Sequence, residues 1–334
     1  MLNIGIVGLG YLGEIHVKCL LELKDVFRIV GVFDINKDRL HNIAEQYDLQ
    51  AFSSFEALLD QVEVVDIVCT TSAHYSVASA SIKAGKHVFI EKPVTSTVDE
   101  ANCLVDLAQE HDVRVQVGHV ERFNPAFLAI RNKELNPMFL ETHRLANYNP
   151  RGNDVSVVRD LMIHDLDIIL DIVNAKVQRI SASGATVFNT TLDICNAQIE
   201  FENGCTAILS ASRVALKNMR KLRFFQPDSY VTVDFLKKEV QWIDKVDSNE
   251  VIPPGIQGFE IPVEGQDQKL QFIHTEVKAG NAIKMELADF ANAIAGAQKE
   301  TVSIYDAVRA LELADEIEQL AIKRLRQFEK NVKI

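Results

Sequence analysis

A few side chains in this sequence are of the types that move a proton to or from an alcohol. Lys92, in Glu91-Lys92-Pro93, is a cation, or a proton donor if burial lowers its pKa. Asp160 and His164 stand four residues apart in Asp160-Leu161-Met162-Ile163-His164-Asp165-Leu166-Asp167, so a helix there puts Asp160, His164 and Asp167 on one face. A carboxylate one turn away fixes the imidazole tautomer and stabilises its charged form, as a general base for an alcohol requires. Each residue also has a purely structural reading. Lys92 could be a solvated strand exit, His164 a histidine near a helix start, and the acids a solvated stripe.

A second group of residues would bind a dinucleotide. Gly8-Leu9-Gly10-Tyr11-Leu12-Gly13 completes G-x-G-x-x-G between a β-branched run and a helical stretch. Gly8 permits the tight turn, Gly10 lets a pyrophosphate approach backbone N–H groups, and Gly13 lets helix and strand pack closely. Tyr11 and Leu12 lie inside this loop, where the helix N-terminus turns its partial positive charge toward phosphates. About 20 residues further on, Asp34 ends the next run, placed to accept hydrogen bonds from the adenosine ribose. The simpler alternative is a tight turn followed by an acid that caps a helix. A 2′-phosphate near Asp34 would meet repulsion of about 4 kcal/mol per charge pair, with no adjoining Arg to offset it, so NAD is expected over NADP. After the run Val64 to Cys69, the loop Thr70-Thr71-Ser72-Ala73-His74 lies at the carboxyl edge of the sheet and could line the cofactor, or Ser72 could simply cap a helix. Glu91 and Lys92 end the next run at the same edge.

The elements that must hold these residues alternate. Runs at Asn3 to Val7, Arg28 to Phe33, Val64 to Cys69, His87 to Ile90 and Val113 to Val117 read as parallel strands. Helical stretches at Tyr11 to Leu23, Lys37 to Tyr47, His74 to Ala84 and Val98 to Glu110 separate them. After Gly118 come helices at Phe123 to Arg131 and Asp160 to Val173. Strands are expected at Val177 to Phe188, Ile194 to Phe201, Cys205 to Val214, Lys221 to Phe225, Tyr230 to Phe235 and Glu239 to Ile243. Turn residues at Asn203-Gly204 and Pro227-Asp228 make most of these strands antiparallel. Val251 to Gln268 reads as a loop, and helices return at Lys284 to Ile294 and Ile304 to Arg326. The fold class is α/β: a dinucleotide-binding domain over residues 1–120, then an α+β domain with an open, mostly antiparallel sheet over 121–334, its final helix packing back on the first domain.

Composition excludes other classes. The 334 residues carry a formal charge of −12, which repels nucleic acid and anionic lipid, so neither is expected as a partner. Five cysteines at irregular spacing fit neither a disulfide framework nor paired zinc ligands, and no metal is expected. The chain lacks H-E-x-x-H, the G-x-S-x-G elbow and the P-loop pattern. With no long apolar span and no leader pattern, the expectation is an uncleaved cytoplasmic protein.

Together these residues resemble the Gfo/Idh/MocA family of dehydrogenases. The likeness rests on the glycine loop, on Ala84-Gly85-Lys86-His87-Val88 leading into Glu91-Lys92-Pro93, on Asp160 and His164, and on Lys284 to Ala295 before a long final helix. It implies a Rossmann domain, a sheet domain used for oligomerisation, and oxidation of a sugar or cyclitol hydroxyl, or the reverse. It also implies that Lys92, Asp160 and His164 form the catalytic group. Met162 departs from the Gly that many members carry between the Asp and the His. Val117-Gly118-His119-Val120-Glu121-Arg122-Phe123-Asn124-Pro125 and Asp160 to Asp167 look most like members acting on nucleotide sugars such as UDP-N-acetylglucosamine, which puts His119, Arg122 and Asn124 with the substrate. Arg144, Arg151 and Arg159, read as lying on a polar loop, suit a diphosphate through bidentate contacts, or are ordinary surface charges. The expectation is a homo-oligomeric NAD-dependent sugar dehydrogenase. Its rivals are an inositol or simple-sugar dehydrogenase of the same family, and a non-catalytic NAD(H)-binding sensor.

Overall fold

A strand covered on both faces needs no polar alternation, and the first strands have none. A computed structural model describes residues 1–131, 133–149, 155–252, 257–277 and 280–332. In it β1 (Leu2–Val7), β2 (Phe27–Phe33), β3 (Val64–Ile67), β4 (His87–Glu91) and β5 (Val115–Gly118) form a parallel sheet in the order β2-β1-β3-β4-β5. The side-chain period of two sends neighbours to opposite faces. Ile4, Ile6, Val64 and Phe89 join one buried cluster, while Val7, Val65, Ile67, Val88 and Ile90 join another. The crossovers are α1 (Tyr11–Glu22), α2 (Lys37–Tyr47), α3 (Phe55–Leu59), α4 (Thr71–Lys83) and α5 (Val98–Glu110). The single turn α3 was not expected. Its Leu58 is fully buried over Gly5, where a Cβ would stand 2.8 Å from the leucine side chain.

Chain contacts divide the protein into one unit of residues 1–123 and 281–311 and another of 124–280 and 312–334. In the first unit α8 (Ala282–Ile294) adds Leu287, Phe290 and Ala291 to one face of the parallel sheet. The start of α9 (Ile304–Val332) adds Ala307, Val308 and Leu311 to the other.

The second unit holds α6 (Pro125–Arg131), β6 (Phe139–Asn147), α7 (Ile163–Val173), and β7 (Val177–Ala185) to β9 (Thr206–Ala215) with β8 (Ile194–Phe201) between. It continues through β10 (Met219–Gln226), β11 (Ser229–Asp234), β12 (Glu239–Asp247), β13 (Gln257–Pro262) and β14 (Gln268–Glu276). The nine-stranded sheet runs β13-β14-β12-β11-β10-β6-β9-β8-β7, and only the β6–β9 pair is parallel. Two expectations are corrected here. Val251 to Gln268 is not all loop, because β13 is an edge strand whose residues are all exposed, and a strand solvated on both faces shows no alternation. Phe139–Asn147 is a strand within the sheet although Thr142 and Arg144 occupy its buried positions.

Phe290 is fully buried with its ring centroid 5.9 Å from that of Phe89. Phe290→Ala should therefore cost about 3–5 kcal/mol of first-unit stability, read as a lowered midpoint in urea denaturation.

Candidate active-site residues and the dinucleotide groove

The turn from β1 into α1 is shaped by close approach. Gly8 has φ +95°, and a Cβ on it would lie 2.5 Å from the Cys69 backbone; a Cβ on Gly13 would lie 2.1 Å from the Gly8 carbonyl oxygen. Gly10 differs, since a Cβ there would meet nothing within 4 Å. It faces open space at the start of α1, where no side chain caps the first N–H groups, and this suits a bound pyrophosphate. Asp34 is buried; its Oδ2 accepts from Leu9 N at 2.7 Å and its Oδ1 from Asn36 N at 2.7 Å. Asn36, not Asp34, caps α2, accepting from Arg39 N.

These elements surround a groove of about 370 Å³ whose lining includes Gly8, Gly10, Tyr11, Leu12, Asp34, Thr70, Thr71, His74, Glu91 and Lys92. Gly13 packs beneath it. The residues present fit a dinucleotide, with a glycine cradle for the phosphates and a fixed carboxylate for the ribose. One expectation fails: an arginine does accompany Asp34. Arg39, in the first turn of α2, brings Nη1 to 3.4 Å from Asp34 Oδ2. It stands five positions along the chain and comes back only because the helix starts there.

Thr71 to His74 form the first turn of α4 rather than a loop, with Thr70 instead of Ser72 at the N-cap. The His74 ring is committed to protein atoms, Nδ1 lying 2.9 Å from the Pro93 carbonyl oxygen and Nε2 3.1 Å from that of Cys69. Burial lowers its pKa, and it ties the turn after β3 to the chain just past Lys92. Burial likewise pushes the Cys69 thiol up to about 11, so this groove cysteine stays protonated.

Asp160 and His164 do not share one regular α-helix. Val158–Met162 is a π-helical turn that passes into α7 at Ile163, widening the turn that carries Asp160. Asp160 and His164 are half-buried, while Asp165 and Asp167 are buried, so the acids are not a solvated stripe. Arg144 is corrected too. It is buried in β6, not on a polar loop, and its Nε and Nη2 donate to Asp165 Oδ1 at 3.0 and 2.7 Å. Arg159 pairs with Asp315 and Glu318. Both guanidinium charges already have carboxylate partners. Arg151 lies outside the described residues. His119 and Arg122 are buried, and Asn124 donates to the Phe235 carbonyl oxygen and accepts from Ala126 N at the start of α6.

Fold and groove define a dinucleotide-binding protein. Residues 2–119 match the oxidoreductase family with an NAD-binding Rossmann fold, and residues 130–226 match the GFO/IDH/MocA C-terminal domain. The chain belongs to the Gfo/Idh/MocA family. It is 34% identical over 292 residues, 87% of this chain and 88% of the other, to UDP-N-acetylglucosamine 3-dehydrogenase of Acidithiobacillus ferrooxidans. A solved structure of that enzyme superposes with a TM-score of 0.85 at 31% identity, covering 96% of this chain and 97% of that one. Scyllo-inositol 2-dehydrogenase (NAD(+)) of Bacillus subtilis is 27% identical over 63% of this chain and 67% of its own length.

Sequence reasoning missed Arg39 and also His16, a buried histidine whose Nδ1 lies 3.0 Å from Asp66 Oδ2. Asp66 was the available signal, a carboxylate in the middle of the fully buried strand β3, which requires a partner.

Asp34→Asn should weaken NADH binding by about 10-fold or more, through loss of a charged hydrogen-bond acceptor, and narrow the preference over NADPH. Arg39→Ala, which leaves that carboxylate unscreened, should widen the preference. Fluorescence titration with both cofactors reads the two shifts, and an unchanged ratio in both variants contradicts the assignment.

Proposed function

We propose that this protein oxidises a hydroxyl of a nucleotide sugar, UDP-N-acetylglucosamine or a near relative, to a ketone with NAD, or runs the reverse reaction. The observation that carries this reading is the placement of Lys92 in the lining of the same groove as the glycine loop and Asp34. A cation there reaches toward the nicotinamide end of a dinucleotide whose phosphates rest on α1. Bound NAD supplies the hydride acceptor. The protein supplies proton handling: His164 takes the hydroxyl proton, Asp160 orients His164, and Lys92 polarises the oxygen. The similarity to UDP-N-acetylglucosamine 3-dehydrogenase supports the nucleotide-sugar reading.

The protein would act as a homo-oligomer through the second unit's sheet. Cross-strand partners Phe139, Phe225, Tyr230, Ile243, Phe272 and Phe259 form one row over six strands on one face. Phe225 and Phe259 remain 39% and 58% exposed, and Phe259 stacks on Phe272 at 4.5 Å. A flat apolar row of this kind suits a second copy of the same face. Free thiols at all five cysteines favour a reducing cytoplasm, and among the described residues no helix is long and apolar enough to cross a membrane.

NADH absorbance with UDP-N-acetylglucosamine, free sugars and scyllo-inositol as substrates tests the activity. The nucleotide sugar should give the highest kcat/KM, and Lys92→Ala or His164→Ala should each lower turnover by about 10²–10⁴-fold. Phe259→Asp should shift the protein to a smaller species in light scattering, and an unchanged mass would remove this face as the interface.

A further inference from the structure

Beneath the Lys92 end of the groove lies a set of ionisable side chains with no assigned role. His16, three residues past Gly13 in α1, is fully buried. Its Nδ1 is 3.0 Å from Asp66 Oδ2, and its Nε2 is 3.2 Å from Glu91 Oε1. Both ring nitrogens face carboxylates, and only the imidazolium donates on both sides at once. Burial opposes that charge, but Asp66 and then Glu91 outweigh it and hold the imidazole pKa well above its ordinary value. Glu286 of α8 completes the set. It is fully buried, and burial followed by the charge of Glu91 pushes its carboxyl well above the usual carboxylate range. Neither of its oxygens has a hydrogen-bond partner among the described residues.

Of the other groups facing this set, Asp289 is engaged with Gln298 and Thr301, while Gln116 donates to the Glu286 carbonyl oxygen. Atoms of His16, Glu91 and Glu286 lie within 4.8 Å of one another, a spacing that invites a divalent cation. A proton on each ring nitrogen satisfies the same contacts with Asp66 and Glu91 without one. The geometry favours a proton-held clamp.

The clamp acts on one residue. Glu91 gives Oε1 to His16 and Oε2 to the Lys92 backbone N–H at 3.2 Å. It packs against Gly118, where a Cβ would come within 2.7 Å of Oε1. We propose that His16 is a positioning residue for Lys92, holding the Glu91 carboxylate that in turn fixes the Lys92 main chain at the groove. The inference rests on Lys92 being a proton-handling residue of the proposed reaction. Without His16, Glu91 is a buried carboxylate lacking its cation, and it relaxes toward water in the groove together with the Lys92 peptide.

Wild-type turnover with UDP-N-acetylglucosamine judges the proposed reaction on its own. His16→Gln then tests the clamp. With activity normalised to the number of NADH-binding sites, kcat should fall by about 10- to 100-fold while NADH affinity holds. A merely structural histidine would lower the melting temperature and the count of binding sites, yet leave kcat per site unchanged, and that result overturns the inference. Nitrogen-15 NMR of the wild-type protein decides independently of whether the variant folds. Both His16 ring nitrogens should stay protonated above neutral pH, and a singly protonated ring overturns the clamp.

Discussion

At Gly8 and Gly13, where the first strand turns into the first helix, there is no space for a side-chain carbon. The 2.1 Å that a Cβ on Gly13 would leave to the Gly8 carbonyl brings α1 hard against the end of β1, and β1 in turn lies beside β3. Two consequences follow from this one approach. The start of the helix opens toward the groove with its N–H groups unclaimed by side chains. One turn later the same helix carries His16 to Asp66 of β3 and Glu91 of β4, with a ring nitrogen within 3.2 Å of each carboxylate. The binding surface and the charged layer under it thus share a cause.

Both units bury charge, and both do so in opposite-sign sets. In the parallel sheet an imidazolium separates Asp66 from Glu91; beside β6 a guanidinium takes Asp165. Such sets add little net stability over apolar packing, because desolvation offsets the attraction, but losing one member leaves an uncompensated charge. Their value is directional. They fix the rotamers of Glu91 and Asp165, two residues immediately adjacent in sequence to Lys92 and His164.

Much of the first unit was legible in the sequence, because its strands are mostly apolar and Gly8 and Gly13 have steric reasons. The second unit hid what breaks those rules. β6 reads as polar since Arg144 and Thr142 occupy its inward positions, and Asp165 of α7 meets the buried Arg144 guanidinium there. β13 has no pattern to read, being solvated on both faces. The π-helical turn at Val158–Met162 leaves no mark in residue types, so the spacing of Asp160 and His164 was visible while the geometry carrying it was not. Arg39 is five positions from Asp34 along the chain, and the start of α2 folds it back onto that carboxylate.

The first unit is also discontinuous: the chain leaves it at Phe123 and re-enters at Asn281. During synthesis the nascent parallel sheet therefore emerges with part of the cover missing from each face, since Leu287, Phe290 and Ala291 on one side and Ala307, Val308 and Leu311 on the other are still to be translated. At about 5–20 residues per second the wait amounts to roughly 8 to 30 s. For that interval Phe89 lacks the Phe290 ring that later packs beside it, so the amino-terminal segment carries apolar surface that only the returning chain covers.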